Sequence, residues 1–141
     1  MTRTSLSTLR RGALVLGASL LLSAAALAQE KVVFQVSDAD PAKWNLTLNN
    51  IRNVQQDLGA GKVEVEVVAY GPGIGMLKLE SPVAQRVADA LGQGVKVVAC
   101  ENTLTAQKLG RADMLPNIAY VPAGVVELMR KQQQGWAYIR P

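Results

Sequence analysis

The chain has 141 residues, a length that fits one domain, and its 15 Lys+Arg against 11 Asp+Glu give a net charge of +4. It has no histidine and one cysteine, which excludes Ser-His-Asp and Cys-His catalysis, the usual zinc sites and an internal disulfide. Without Arg3, Arg10 and Arg11 of the first segment, the chain has 12 basic and 11 acidic residues, a net charge of +1. A nearly neutral domain lacks the positive charge that a nucleic-acid partner requires.

Residues 1–28 have the pattern of an export signal. A basic start precedes an uncharged run from Gly12, and the run ends in Ala-Leu-Ala, a typical cleavage sequence. We predict cleavage after Ala28, a mature domain over 29–141 and export to a bacterial periplasm, by general secretion or, given the paired arginines, by the twin-arginine route. We expect no stable membrane anchor, because the run is shorter than a spanning helix and Gln29 is not the cysteine that lipid attachment needs.

From Lys31 onward, β-branched runs alternate with helical patterns, which predicts a parallel sheet covered by helices on both faces. The first strand is Lys31–Ser37. The first helix is predicted to begin with Asp40 as its cap and Pro41 at its first position, and to end at Gly59. Its apolar positions recur at spacings of three and four: Trp44, Leu48, Ile51, Val54 and Leu58.

The second strand, Lys62–Tyr70, begins with alternating Val and Glu, which predicts a strand with one wet face, as at a sheet edge. It runs into a segment that we call the glycine loop, Gly71–Gly75. A second helix follows Ser81-Pro82. Its predicted buried side consists of Val83, Val87, Ala90 and Leu91.

The third strand, Val95–Cys100, is apolar except for Lys96 and is placed in the interior of the sheet, and Glu101-Asn102-Thr103 begins a short helix after it. Ile118–Val121 is the fourth strand and Trp136–Arg140 the fifth. Between them a final helix opens at Pro122-Ala123-Gly124 and ends at Gly135, with Val125, Val126, Leu128 and Met129 as its apolar positions.

Cys100 is the first candidate functional residue, because open α/β sheets place their ligand crevices at the C-terminal ends of the strands. If Asn102 or Thr103 caps the following helix, its backbone N–H groups and dipole favour the thiolate, which can carry sulfur as a persulfide. Glu101 either raises the pKa of the thiol by repulsion or accepts its proton. The alternative is that Cys100 packs as an inert core residue.

The glycine loop is the second candidate, since backbone N–H groups at Gly71, Gly73 and Gly75 would be able to close on an anion. The loop matches neither G-x-G-x-x-G nor a P-loop, so we interpret it as a turn or a wall of the crevice. Tyr70 either directs its hydroxyl to the same strand ends or covers the edge of the core. No residues have metal-ligand spacing, and we expect neither a metal nor a cofactor.

The sequence from Lys31 to Pro141 resembles the DsrE/DsrF-like family of small sulfur-relay proteins, especially its exported single-domain members. The resemblance rests on five segments: 32–37, 45–50, 68–73, 97–102 and 135–141. It implies a three-layer α/β/α sandwich with a five-stranded parallel sheet, flavodoxin-like in outline, and homo-oligomers such as trimers or hexamers. It also implies a cysteine after the third strand that carries persulfide sulfur, which is the position of Cys100. The departure is the export signal, because the well-understood relays of this family work in the cytoplasm.

Our leading hypothesis is a periplasmic sulfur carrier or sulfurtransferase that receives sulfur on Cys100 from a donor protein and passes it to an acceptor. Asn102, Thr103 and the glycine loop would supply hydrogen-bond donors, and Tyr70 would line the crevice. The absence of a second cysteine argues against a C-x-x-C oxidoreductase. The alternatives are a non-catalytic oligomeric module that binds a small molecule or a partner protein, and a flavodoxin-like electron-transfer or phosphate-binding domain.

Overall fold

The computed structural model describes residues 29–141, so the predicted signal segment 1–28 and its cleavage site lie outside the described residues. Five strands form one sheet: β1 (Glu30–Val36), β2 (Val63–Ala69), β3 (Lys96–Cys100), β4 (Ala119–Val121) and β5 (Ala137–Ile139). Four α-helices connect them: α1 (Pro41–Leu58), α2 (Ala84–Gly92), α3 (Glu101–Ala106) and α4 (Gly124–Gln133). All neighbouring strands are parallel, in the order β4-β3-β2-β1-β5. The predicted α/β sandwich with a five-stranded parallel sheet is confirmed.

Strand β2 is the middle strand of the sheet, so its predicted position at an edge is wrong. The alternation of Val and Glu has another cause. Glu64, near the start of the strand, is half-buried and lies 3.7 Å from the ammonium of Lys31 on β1. Glu66 is fully buried and is compensated by lysines. Alternating charge along β2 therefore marks ion pairing with β1, β3 and α4, and not a strand at the edge of the sheet.

The larger part of the core lies on the face of the sheet that carries Phe34, Val67 and Ala99, against α1 and α2. The opposite face carries Val33, Val68 and Val98, and α4 packs on it through Leu128. Val125 and Met129, which the sequence marked as apolar positions of α4, are 60% and 51% exposed.

Four charged side chains meet between α4 and the sheet, namely Glu66, Lys96, Glu127 and Lys131, which we call the α4 ionic cluster. The Glu66 carboxylate is 2.9 Å from the Lys131 ammonium and 3.3 Å from the Lys96 ammonium. Lys131 also lies over the ring of Trp136, 4.2 Å from its centroid. Burial raises the pKa of the Glu66 carboxyl, the neighbouring Glu127 carboxyl raises it further, and the two lysines oppose this. The cluster thus couples the C-terminal half of α4 to the middle of the sheet.

Helix α1 begins as predicted, since the Asp40 carboxylate accepts a hydrogen bond of 2.8 Å from the Ala42 N–H, although Leu58 in its last turn is exposed. Helix α2 begins at Ala84, three residues after its predicted cap. The Ser81 hydroxyl instead accepts a hydrogen bond from Val83 in the preceding turn. In the described part of the chain, no helix has both the length and the apolar character needed to cross a membrane.

Candidate functional site

Cys100 is the last residue of β3, and its side chain lies on the α4 face of the sheet, 5% exposed. Strand β4 is the parallel neighbour of β3, so the residues that follow β4 lie beside the thiol. The sulfur is 3.9 Å from the Pro122 carbonyl oxygen, to which the neutral thiol donates. A Cβ atom built on Gly124 would lie 3.3 Å from the Cβ of Cys100, so the start of α4 packs directly on the cysteine.

Two helices begin next to Cys100. Helix α3 starts at Glu101 with Cys100 itself at the capping position, so the predicted cap by Asn102 or Thr103 is wrong. The reason is that β3 passes into α3 without an intervening residue. Helix α4 starts at Gly124. The positive ends of both helix dipoles are therefore close to the sulfur, where they favour a negative charge.

These surroundings lower the pKa of the Cys100 thiol below its ordinary value. Burial opposes ionisation, but hydrogen bonds from the Thr103 hydroxyl and the Gly124 backbone N–H outweigh it, with smaller contributions from the backbone N–H groups of Thr103 and Asn102. The Asn102 N–H donates to the Pro122 carbonyl at 3.1 Å. The site thus stabilises a thiolate on a side chain that is largely shielded from water.

The glycine loop forms part of a 3-10 helix, Gly71–Leu77, and its three glycines do different things. Gly73 packs against the end of β1, where a Cβ atom would lie 2.2 Å from the Val36 carbonyl oxygen. A Cβ atom on Gly75 would lie 3.0 Å from the indole of Trp44. Gly71 alone reaches the cysteine environment: its N–H donates to the Thr103 hydroxyl oxygen at 2.9 Å. The loop is therefore connected to α3, which begins after Cys100, through Thr103.

The structure places Tyr70 and Glu101 at the rim of the site. Tyr70 is half-buried, and its Cβ atom lies 3.0 Å from the position a Gly124 side chain would take. The Glu101 carboxylate turns to Arg111, with an N–O distance of 2.7 Å, and Arg111 stacks over the ring of Tyr120 at 4.2 Å. Because Arg111 offsets the charge of Glu101, the carboxylate next to Cys100 does little to repel a thiolate.

Sequence reasoning missed three residues of this site, namely Pro122, Gly124 and Gln107. Pro122 and Gly124 had been recognised only as the start of a helix. The signal that locates them is strand order, since the ends of adjacent parallel strands β3 and β4 meet at one edge. Gln107, just after α3, donates from its side-chain amide to the Gly71 carbonyl at 3.1 Å. No sequence pattern marks that contact. In the described region no cluster of His, Cys, Asp or Glu could hold a metal ion.

Comparison with known proteins places the chain among small α/β proteins. The model of the DsrE/DsrF-like family matches residues 22–141. A solved protein of unknown function from Methanobacterium thermoautotrophicum is 39% identical, with a TM-score of 0.76, over 79% of this chain and 99% of its own. A conserved protein of unknown function from Bacteroides thetaiotaomicron shares the fold at 12% identity, with a TM-score of 0.66, over 83% of this chain and 99% of its own. Among curated proteins, none matches the chain.

Proposed function

The chain belongs to the DsrE/DsrF-like family, and from this premise we propose that it is a sulfur carrier or sulfurtransferase that holds persulfide sulfur on Cys100. The observation that carries the proposal is the position of Cys100 at the C-terminal end of β3, where the starts of α3 and α4 converge. The lowered pKa of its thiol is the property that a nucleophilic sulfur needs.

The proposed reaction is a sulfur transfer in two steps. The Cys100 thiolate attacks the terminal sulfur of a polysulfide, a new S–S bond forms, and the donor leaves as a polysulfide anion one sulfur shorter. In the second step an acceptor thiolate attacks the outer sulfur of the persulfide, and Cys100 departs as a thiolate. Each step exchanges one S–S bond for another, so no external oxidant or reductant is consumed.

The neighbours of Cys100 have separate roles in this proposal. Backbone N–H groups of Thr103 and Gly124 and the Thr103 hydroxyl stabilise the thiolate both as nucleophile and as leaving group. The Pro122 carbonyl accepts from the neutral thiol and so favours the resting, protonated form. Tyr70 forms the wall between the glycine loop and α4.

Mass spectrometry of the intact protein tests the proposal. After brief exposure to polysulfide, residues 29–141 are expected to gain the mass of one sulfur atom, and a reductant is expected to remove it. The matched control is Cys100→Ser, which is expected to gain nothing because the chain contains one cysteine. Equal gain by the control, or no gain by an alkylatable wild-type thiol, would contradict the proposal. The second result would favour the non-catalytic binding module, a reading that the 5% exposure of Cys100 also favours.

We also propose that the protein works in a bacterial periplasm, between a sulfur donor protein and an acceptor. The support is the pattern of residues 1–28, a basic start and an uncharged run that ends in Ala-Leu-Ala. Expression of the full chain with its signal, followed by cell fractionation, checks this. We expect a periplasmic product that begins at Gln29, whereas an uncleaved cytoplasmic product would contradict it.

Self-association completes the proposal, through a surface that we call the α4 surface: Val125, Met129, Gln132, Gln133 and Tyr138. It lines a shallow groove of about 470 Å³, and no charged side chain lines it to select a partner of opposite charge. A second copy is the occupant we propose, since exposed apolar residues and amides on one helix are self-complementary across a two-fold axis, such as those of a hexamer.

Charge at the centre of the α4 surface is expected to weaken this association. Met129→Lys would bury an ammonium against apolar side chains, and we expect the dissociation constant to rise about tenfold or more. Sedimentation velocity over a range of concentrations measures it. Leu79→Lys, also at an exposed apolar residue but away from α4, is the control and is expected to keep the wild-type assembly. A monomeric wild-type protein would refute the proposal.

A further inference from the structure

Two side chains of the α3 region bind the backbone N–H and the backbone carbonyl of Gly71. Its N–H donates to the Thr103 hydroxyl oxygen at 2.9 Å, and its carbonyl accepts from the Gln107 amide at 3.1 Å. Gly71 adopts φ = +54°, a conformation in which glycine is unstrained, and this turns its peptide toward α3. The glycine loop is thus tied to the helix that begins at Cys100.

A threonine hydroxyl has one proton and accepts at two lone pairs, so its partners decide where the proton points. Threonine in a helix often donates to the carbonyl of the preceding turn, as Thr47 does to Lys43 at 2.8 Å. Thr103 is arranged differently: its oxygen receives the Gly71 N–H, and it lies in the first turn of α3, three residues after Cys100, the capping residue whose thiol pKa it lowers. Thr103 is also buried, so water does not compete for the proton.

We propose that Gly71 and Gln107 are positioning residues for the sulfur chemistry of Cys100. The Gly71 N–H occupies one lone pair of the Thr103 oxygen and leaves the hydroxyl proton for the sulfur, and the Gln107 amide holds the Gly71 peptide in place. The inference rests on the proposed function in one respect only: it concerns the thiolate which that function uses.

Titration of the thiolate by its ultraviolet absorbance tests the inference, and Cys100→Ser supplies the baseline. Thr103→Val removes the hydroxyl at nearly constant shape and is expected to raise the pKa of Cys100 by about one unit. Thr103→Ser keeps the hydroxyl and is expected to restore the wild-type value. Gln107→Met is expected to raise the pKa by about half a unit, which would slow alkylation at neutral pH about threefold.

A double-mutant cycle separates positioning from general loosening of the fold. If Gln107 acts through Thr103, Gln107→Met is expected to change nothing further in the Thr103→Val background. Gln56→Met, at an exposed glutamine of α1, is the matched control and is expected to leave the pKa at the wild-type value. An unchanged pKa in Gln107→Met, or an equal shift in both backgrounds, would overturn the inference.

The outcomes also separate this inference from the proposed function. If polysulfide loads Cys100 but Gln107→Met leaves its pKa unchanged, the positioning role is wrong and the carrier function stands. If the pKa responds as expected but polysulfide never loads Cys100, the carrier function is wrong and the positioning of Thr103 stands.

Discussion

Replacement of Gly73 by alanine is expected to destabilise the domain by about 3 kcal/mol, near the upper end of the cost of overpacking. The new Cβ atom would lie 2.2 Å from the Val36 carbonyl oxygen and 2.8 Å from the Ser37 nitrogen. Both are backbone atoms at the end of β1, so no side-chain rotation can relieve the clash. Either the 3-10 segment or the end of the strand must move. Urea unfolding at equilibrium measures the loss.

The matched control is Gly61→Ala. Gly61 lies in a short 3-10 helix before β2, and a Cβ atom there would have nothing within 4 Å. We expect it to keep the free energy of unfolding within about 0.5 kcal/mol of wild type. If Gly73→Ala were equally mild, the close approach of the glycine loop to β1 would not be a constraint of the fold.

Removal of the lysine that compensates Glu66 is expected to have a similar effect. Lys131→Met leaves a fully buried carboxylate with only the half-exposed Lys96 at 3.3 Å, and it also removes the cation from the Trp136 ring. Breaking a buried ion pair by removing one partner typically costs about 3–5 kcal/mol, and we expect about 3 kcal/mol at pH 8. Lys96→Met is the control with the same charge change, and we expect it to lose about 1 kcal/mol, because its ammonium is exposed.

The loss in Lys131→Met is expected to depend on pH. In the wild-type protein the pKa of the Glu66 carboxyl is already raised above its ordinary value of 4.5, so folding favours the neutral form. That contribution is fully present below the ordinary value and is lost as the pH rises through the raised value. Without Lys131 the pKa rises further, so the difference in unfolding free energy from wild type is expected to shrink between pH 8 and pH 5. A difference that stays constant over this range would show that Glu66 does not titrate there.

The architecture was predictable because β-branched runs and amphipathic helices carry strong periodic signals. Asp40, Pro41 and Gly59 delimit α1 correctly because capping is a local property of the chain. The edge position of β2 was wrong because periodicity reports alternation and not its cause. The charge of Glu66 is compensated by Lys131, which lies far along the sequence, on α4.

The candidate site was likewise predicted only in part. Cys100 was found because the C-terminal end of an interior strand is a general location for chemistry. Gly124 and Gln107 were missed because their importance depends on which strands and helices become neighbours, and the sequence alone does not state strand order. The sequence left the exposure of Val125 and Met129 open for a related reason: a helical stripe shows that a side chain is apolar, not that another element covers it.

The pairing of β5 with β1 has a consequence for the order of folding. These strands pair through Val32 with Ala137 and Phe34 with Ile139, about a hundred residues apart in the chain. A nascent chain can pair β1 with β2 and β2 with β3 by short crossovers, but the outer edge of β1 stays open until the last strand leaves the ribosome. An open parallel edge is a template for pairing with other chains. Truncation before Ala137 is therefore expected to cause aggregation, because β1 keeps an open edge, even though β5 contributes only three residues to the sheet.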